Sequence, residues 1–158
     1  MWNSLFEVIE KVLKTRKSKR EYTGNAYISE DQVKKLLPLV KCAPMAGGLD
    51  STYISLFDLK DRRNSKIIYK SVFYQEFILK ANFAVCFSSD INILKNKYSE
   101  PYLSIFSCQN ATIQAYNFQL ILHSLNIGSC FVGAIRNDIL QKHFDFLKKL
   151  NTYAIIIL

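Results

Sequence analysis

Apolar residues recur along this chain in two rhythms, one near 3.6 residues and one near two or continuous, and the rhythms trade places several times. Ser4-Leu5-Phe6-Glu7 has the form of a capping box, and Leu5, Ile9, Val12 and Leu13 follow at helical spacing, which predicts a first helix from Ser4 to about Lys14. Ser29-Glu30-Asp31-Gln32 is a second capping box, followed by Val33, Leu36, Leu37 and Val40 on one face. Pro38 inside that pattern predicts a kink or an early end, and Pro44 a firm stop. Tyr53 to Leu59 reads as a strand, Ser65 to Lys80 as helix in two pieces, and Asn82 to Ser88 as a strand buried on both faces.

Ser107 to Leu125 is the longest helical candidate, apolar over most of its circumference, with Ile113, Tyr116, Asn117, Leu120 and Ser124 along one side. Gly128 is expected to end it. A short strand from Ser129 to Ile135, a helix from Asp138 to Leu147 and a last strand from Thr152 to Leu158 complete the pattern. Helices and strands mix without strict βαβ alternation, which predicts an α+β layered fold. No repeat or linker divides residues 1–158, so a single domain is expected.

Composition narrows the chemistry. The chain has 158 residues, of which 49% are hydrophobic and 22% charged, which excludes a disordered protein. The N-terminal stretch carries Glu7 and Glu10 without an apolar core segment, and no apolar run approaches the roughly 20 residues of a membrane span. A cytoplasmic protein without membrane association is the expectation. Cys42, Cys86, Cys108 and Cys130 form no C-x-x-C pair, and His123 and His143 lie near no cysteine pair. The four thiols are therefore expected reduced and buried, with no metal site. A net charge of +8 asks for an anionic partner. The cations are spread along the chain and no nucleic-acid motif appears, which argues against nucleic acid. No G-x-G-x-x-G follows a strand, and there is no P-loop.

Three segments carry candidate chemistry. Thr15-Arg16-Lys17-Ser18-Lys19-Arg20 places four cations and hydroxyl donors just after the first helix, the groups a phosphate needs; a solvated basic loop would look the same. Ala43-Pro44-Met45-Ala46-Gly47-Gly48-Leu49 is a small-residue stretch that lets backbone approach a flat ligand, or a plain helix-to-strand loop. The third is the long helix with its exit, Gln114 to Gly133, in which Gln114 and Asn117 need partners if buried.

Taken in order, these segments resemble the nitroreductase-like FMN-dependent family. Arg16, Ser18 and Arg20 match its early R-x-S-x-R/K motif, Ala43-Pro44 with Ala46-Gly47 its A-P-S-A-G loop, Asn117 to Gly128 its helix end, and Cys130-Phe131-Val132-Gly133-Ala134 its C-W-V-G-A strand. The Ala46-Gly47-Gly48-Leu49 form of the loop looks most like the azoline dehydrogenase branch. The resemblance implies a mostly antiparallel central sheet flanked by helices, and an intertwined homodimer with FMN at the interface and the long helix as seam. It implies ping-pong hydride transfer through flavin N5, between NADH or NADPH and a small or peptidic acceptor. Arg16 and Ser18 would hold the FMN phosphate and ribityl chain, with Lys17 beside them, and Arg20 the pyrimidine end. Pro44, Met45, Ala46 and Gly47 would line the ribityl or ring, Gln75 would reach the polar edge, and Val132 and Gly133 would approach N5. No catalytic acid or base is implied. Tyr53 and Tyr116 are expected as core aromatics, with a pocket role as the alternative.

The match departs at three places. Met45 stands where the family has serine, Asp50-Ser51 replaces the usual Tyr-Pro, and the chain stops at Ile155-Ile156-Ile157-Leu158, short of a late basic residue that reaches the phosphate. The domain is thus expected to be short at its C-terminus. A degenerate, non-catalytic relative acting as a binding or partner protein is the alternative.

Overall fold

A computed structural model describes residues 3–22 and 28–158. Four strands, β1 (Thr52–Asp58), β2 (Phe83–Ser89), β3 (Cys130–Val132) and β4 (Asn151–Ile157), form one sheet in the order β1-β2-β4-β3, every neighbour pair antiparallel. Its helices are α1 (Ser4–Thr15), α2 (Glu30–Val40), α3 (Arg62–Ser71), α4 (Ile91–Leu94), α5 (Tyr102–Ser124) and α6 (Asn137–His143). This is the α+β layered arrangement that the element order predicts.

Alternation along β2 and β4 explains the layers. Phe83, Val85 and Phe87 of β2, with Ala154, Ile156 and Leu158 in and just after β4, face Val33 and Val40 of α2 and Ala111, Ala115, Phe118 and Leu122 of α5. Ala84 and Cys86, with Ile155 and Ile157, face the other way, onto Ile67 and Ile68 of α3 and Leu140 of α6. Every residue of β2 is buried, as the continuous apolar run predicts. Among the described residues no helix is long and apolar enough to cross a membrane.

Local signals decide most boundaries, with instructive exceptions. The second capping box forms as read: Ser29 Oγ accepts from Gln32 N–H, and the Gln32 side chain accepts from Ser29 N–H. The first does not, because Asn3 rather than Ser4 is the N-cap, its Oδ1 accepting from Phe6 N–H at 3.0 Å. Asparagine caps as well as serine, so a one-residue shift costs nothing. Pro38 lies within the last turn of α2, and the helix runs two residues past it before closing on i→i−3 bonds to Lys41 and Cys42. A proline so near the end disturbs little of the helix that follows.

Gly128 does not terminate α5. Asn126 takes the left-handed conformation (φ 59°), its N–H bonds His123 O at 2.9 Å, and Ile127 N–H bonds Leu122 O at 2.9 Å. This is a Schellman closure with asparagine in the place more often held by glycine. The stripe of Ile113, Tyr116, Asn117, Leu120 and Ser124 is also not the core side of α5: Ile113, Tyr116 and Ser124 are exposed, Asn117 and Leu120 half-buried. A helix apolar all round has two candidate faces, and periodicity alone does not choose between them. Truncating Phe118, which is fully buried and lies 6.0 Å from Phe87 between ring centroids, is expected to destabilise the protein by about 3–5 kcal/mol in urea denaturation.

Candidate functional site

The cationic segment is held against the sheet by its backbone. Ser18 forms a parallel bridge to Ser129, and Lys19 N–H donates to Ser129 O at 2.9 Å, which lays residues 16–20 beside the start of β3. From there Arg20, Ser18 and Arg16 lie close enough to the Cys130 thiol to favour its ionised form. Burial pushes that thiol up, while Arg20, Ser18 and Arg16 pull the other way. Tyr22 closes this corner. Its hydroxyl lies 3.0 Å from both Lys19 O and Ile157 O, its ring packs on Phe77, and burial and the neighbouring Cys130 raise its phenol so that it stays protonated. None of Arg16, Lys17, Lys19 and Arg20 is ion-paired among the described residues.

Val132 and Gly133 lie on the same edge of the sheet. Arg136 N–H donates to Ser71 O at 2.7 Å, so the chain leaving Gly133 passes the end of α3, where Gln75 sits with its amide donating to Val72 O. Two residues that sequence reasoning missed belong here: Phe73 and Tyr74 both take left-handed φ values (58° and 60°) with rings more than half exposed. Bulky side chains pay a steric penalty in that region, and nothing in composition or spacing signals the turn. Arg20, Tyr22, Glu76 and Phe77 line a cavity of about 530 Å³ at this end of the molecule. A Cβ placed on Gly133 would meet only Phe131, at 3.6 Å, so the backbone there is open to a ligand.

The loop bearing Pro44, Met45, Ala46 and Gly47 is elsewhere. Asn110 of α5 clamps it: its Oδ1 accepts from Ala46 N–H at 2.8 Å, and its Nδ2 lies 3.0 Å from both Leu49 O and Ser51 Oγ. Asn110 is 1% exposed and was not singled out from the sequence, where one asparagine inside an apolar helix carries no positional signal. At the opposite end of α5, His123 Nε2 lies 2.9 Å from Thr15 Oγ1. Thirteen residues separate Asn110 from His123, about 20 Å at helical rise. One protomer therefore brings Arg16, Ser18, Arg20, Gln75, Val132 and Gly133 to one end, and does not bring Pro44 to Gly47 to them. Space beside Gly47 is already taken, since a Cβ there would meet Tyr98 and Lys97, whereas Gly48 has open space.

Some expectations for single residues are corrected. Tyr53 and Tyr116 are 48% and 40% exposed, so neither is a core aromatic; Tyr53 lines a cavity with Lys41 and Asp50. Cys86 and Cys130 are buried, but Cys42, in the turn after α2, and Cys108, on an outward face of α5, are exposed. Gln114 is buried; its amide donates to Asp50 Oδ1 at 3.3 Å, and its Oε1 has no partner among the described residues.

Neither family models nor curated proteins match the sequence. Solved structures match its shape. A protein from Desulfovibrio desulfuricans assigned as a nitroreductase, solved in complex with FMN, superposes on 99% of this chain and 86% of its own, with a TM-score of 0.76 at 20% identity. A nitroreductase family protein from Streptococcus pneumoniae covers 94% of this chain and 88% of its own, with a TM-score of 0.82 at 15% identity. A protein from Clostridium acetobutylicum assigned as an NADH oxidase covers 92% and 84%, with a TM-score of 0.76 at 21% identity. The chain has the nitroreductase-like fold. At these identities the likeness is one of architecture, and the nitroreductase-like scaffold leaves the chemistry to be argued from this chain's own residues.

Two measurements follow from the local electrostatics of this nitroreductase-like chain. In native protein a thiol reagent at pH 8 should modify Cys42 and Cys108 rapidly, while Cys86 and Cys130, buried and with raised thiols, react only after denaturation. Burial opposes ionisation of Asp50, but the Lys41 ammonium, Thr52 N–H and Gln114 amide outweigh it and hold the carboxyl below its ordinary range. Stability from that shift is present above the ordinary carboxylate pKa and is lost as pH falls through the lowered one. The stability advantage of wild type over Asp50→Asn should therefore hold at neutral pH and shrink below about pH 4, read by denaturant midpoints.

Proposed function

We propose that the protein is an FMN-dependent oxidoreductase that passes hydride between NADH or NADPH and a small or peptidic acceptor in a ping-pong cycle. The observation that carries this reading is the convergence of Arg16, Ser18 and Arg20 on the Cys130 edge of β3, beside open backbone at Gly133. The donor set fits the group: guanidinium forks and a hydroxyl for a phosphate and polyol, a cation for an electron-rich ring edge, and a side-chain-free approach for a flat face. Bound FMN supplies the hydride acceptor and donor. Arg16 and Ser18 hold its phosphate and ribityl chain, with Lys17 adding charge. Arg20 and Gln75 meet its polar edge, and Val132 and Gly133 back its ring.

Pro44, Met45, Ala46 and Gly47 complete the site from a second copy of the chain, because within one protomer they lie about 20 Å along α5 from the cationic segment. Both helices that would form the seam expose apolar side chains: Leu5, Val8, Ile9 and Leu13 on α1, and Ile105, Ile113 and Tyr116 on α5. No residue of α1 is buried within the protomer, which is costly for an amphipathic helix unless another surface covers it. The Ala46-to-Leu49 loop form favours the azoline-oxidising branch and hence a peptidic substrate.

Purified protein titrated with FMN should turn yellow, with one flavin bound per protomer, and should bind riboflavin more weakly for want of the phosphate. Ser18→Ala with Arg20→Ala should weaken FMN binding by about tenfold or more. A protein that stays colourless with added FMN overturns the redox reading in favour of a non-catalytic binding role.

A further inference from the structure

The surplus cations are scattered along the sequence, and the fold gathers a group of them at one corner. Arg63, at the start of α3, donates to His143 O at the end of α6 at 3.3 Å, a contact between residues 80 positions apart. It brings Lys60, Arg62 and Arg63 alongside the stretch that carries Lys142, Lys148 and Lys149, and all six are exposed. Three carboxylates lie in the same stretches, and each is already engaged. Asp58 accepts from Lys60 N–H, Asp61 caps α3 through Arg63 and Asn64 N–H, and Asp145 pairs with Lys148 at 2.7 Å. None of Arg62, Arg63, Lys142 and Lys149 is ion-paired among the described residues. Like charges gathered on one corner repel, and an anionic partner relieves the repulsion.

A hollow opens beside this corner. Strand alternation turns Tyr53, Ser55 and Phe57 of β1 to one face. Phe146, in the turn Asp145–Leu147 after α6, stacks on Phe57 with ring centroids 6.1 Å apart and planes inclined by 21°. Tyr53, Ser55, Phe146, Lys148 and Lys149 are among the residues lining the cavity that results, about 420 Å³ in volume. Phe146 and Tyr53 keep 59% and 48% of their surfaces exposed. Phe57 and Phe144 back the Phe146 ring, so its exposed surface is held in place. Exposed rings beside cations combine area to bury with charge that selects what buries it.

Shape and charge spacing separate the anionic partners that such a corner meets. A nucleic acid carries a phosphate at every nucleotide, and its strand would run past Asp90 and Asp145, which also line the cavity. A membrane is flat and takes up protruding rings, whereas Phe146 and Tyr53 line a hollow. A peptide sets its carboxylates at chosen positions, toward the Arg63 fork and the Lys142 and Lys149 ammonium groups, with an apolar side chain on Phe146 between them. We propose that this corner is a docking surface for an acidic peptide segment of a partner protein, with carboxylates flanking an aromatic residue. The inference does not depend on the redox reading, because it shares no residue with the cationic segment at 16–20, with Gln75, Val132 and Gly133, or with the loop from Pro44 to Gly47.

Fluorescence anisotropy of a fluorescein-labelled peptide of glutamates flanking one phenylalanine tests it, beside the same peptide with glutamine for glutamate. The acidic peptide should saturate at about 100 μM protein or below in about 0.1 M salt, and the glutamine peptide should not bind. Lys142→Glu with Lys149→Glu should weaken binding by about tenfold or more, and Phe146→Ala by about threefold or more. Lys34→Glu with Lys35→Glu makes the same charge change on α2, across the sheet, and should leave binding within about threefold. Circular dichroism checks that each variant is folded. The proposal is overturned if the acidic peptide does not saturate, if the two charge variants weaken it equally, or if folded Phe146→Ala binds like wild type. It is also overturned if single-stranded RNA or phosphatidylserine vesicles bind more tightly than the peptide and lose binding in the Lys142/Lys149 variant.

Discussion

Packing of α5 across β2 and β4 is the constraint on which the rest of the molecule depends. Ala111, Ala115, Phe118 and Leu122 must lie on Phe87, Val85 and Ile156, and this fixes the helix in rotation and along its axis. With both fixed, Asn110 can only meet the loop at Ala46, and His123 can only meet Thr15 at the end of α1. The helix thereby acts as a spacer of set length between two chemically distinct regions. Its core positions account for stability, and its two ends account for where the candidate chemistry is placed.

The sheet contributes a second constraint. Strands β2 and β4 are covered on both faces, so their alternation sorts side chains between two cores rather than between core and water. Polar atoms in such a sheet must satisfy one another: Ser88 pairs with Thr152 at 2.8 Å, and Ser89 with Ser51 and Ser107. Function is accordingly confined to the rims. Edge strand β3 is only three residues long, and residues 16–20 lie along its start, which gives the cationic segment a rigid backing that a surface loop lacks.

Much of the fold was legible because burial on this sheet leaves a clear period. All four strands, the second capping box and the two-piece segment after β1 follow from alternation, cap chemistry and turn residues. What was not legible shares one physical cause, which is that competing local solutions have nearly equal energy. Asn3 and Ser4 cap equally well, Asn126 does the work expected of Gly128, and α5 has apolar residues on every side. For the candidate site, Arg16, Ser18 and Arg20 lie beside Cys130, with Val132 and Gly133 next along the same edge, a grouping that only the family resemblance had implied. The separation of Pro44 to Gly47 from them was hidden, because no short pattern shows which end of α5 the loop meets. Asn110, Phe73 and Tyr74 left no mark for a related reason: their roles come from a tertiary clamp and a left-handed turn that no short pattern encodes.

The bridge between Ser18 and Ser129 also bears on how this segment could change over time. Because Ser18 bridges Ser129 and Lys19 N–H bonds Ser129 O, inserting or deleting one residue between the bridge and Arg20 would carry Arg20 away from its place beside Cys130. A substitution there changes one side chain, but a length change displaces every residue that follows. Drift in this stretch is therefore channelled into residue identity, and its length is held by geometry.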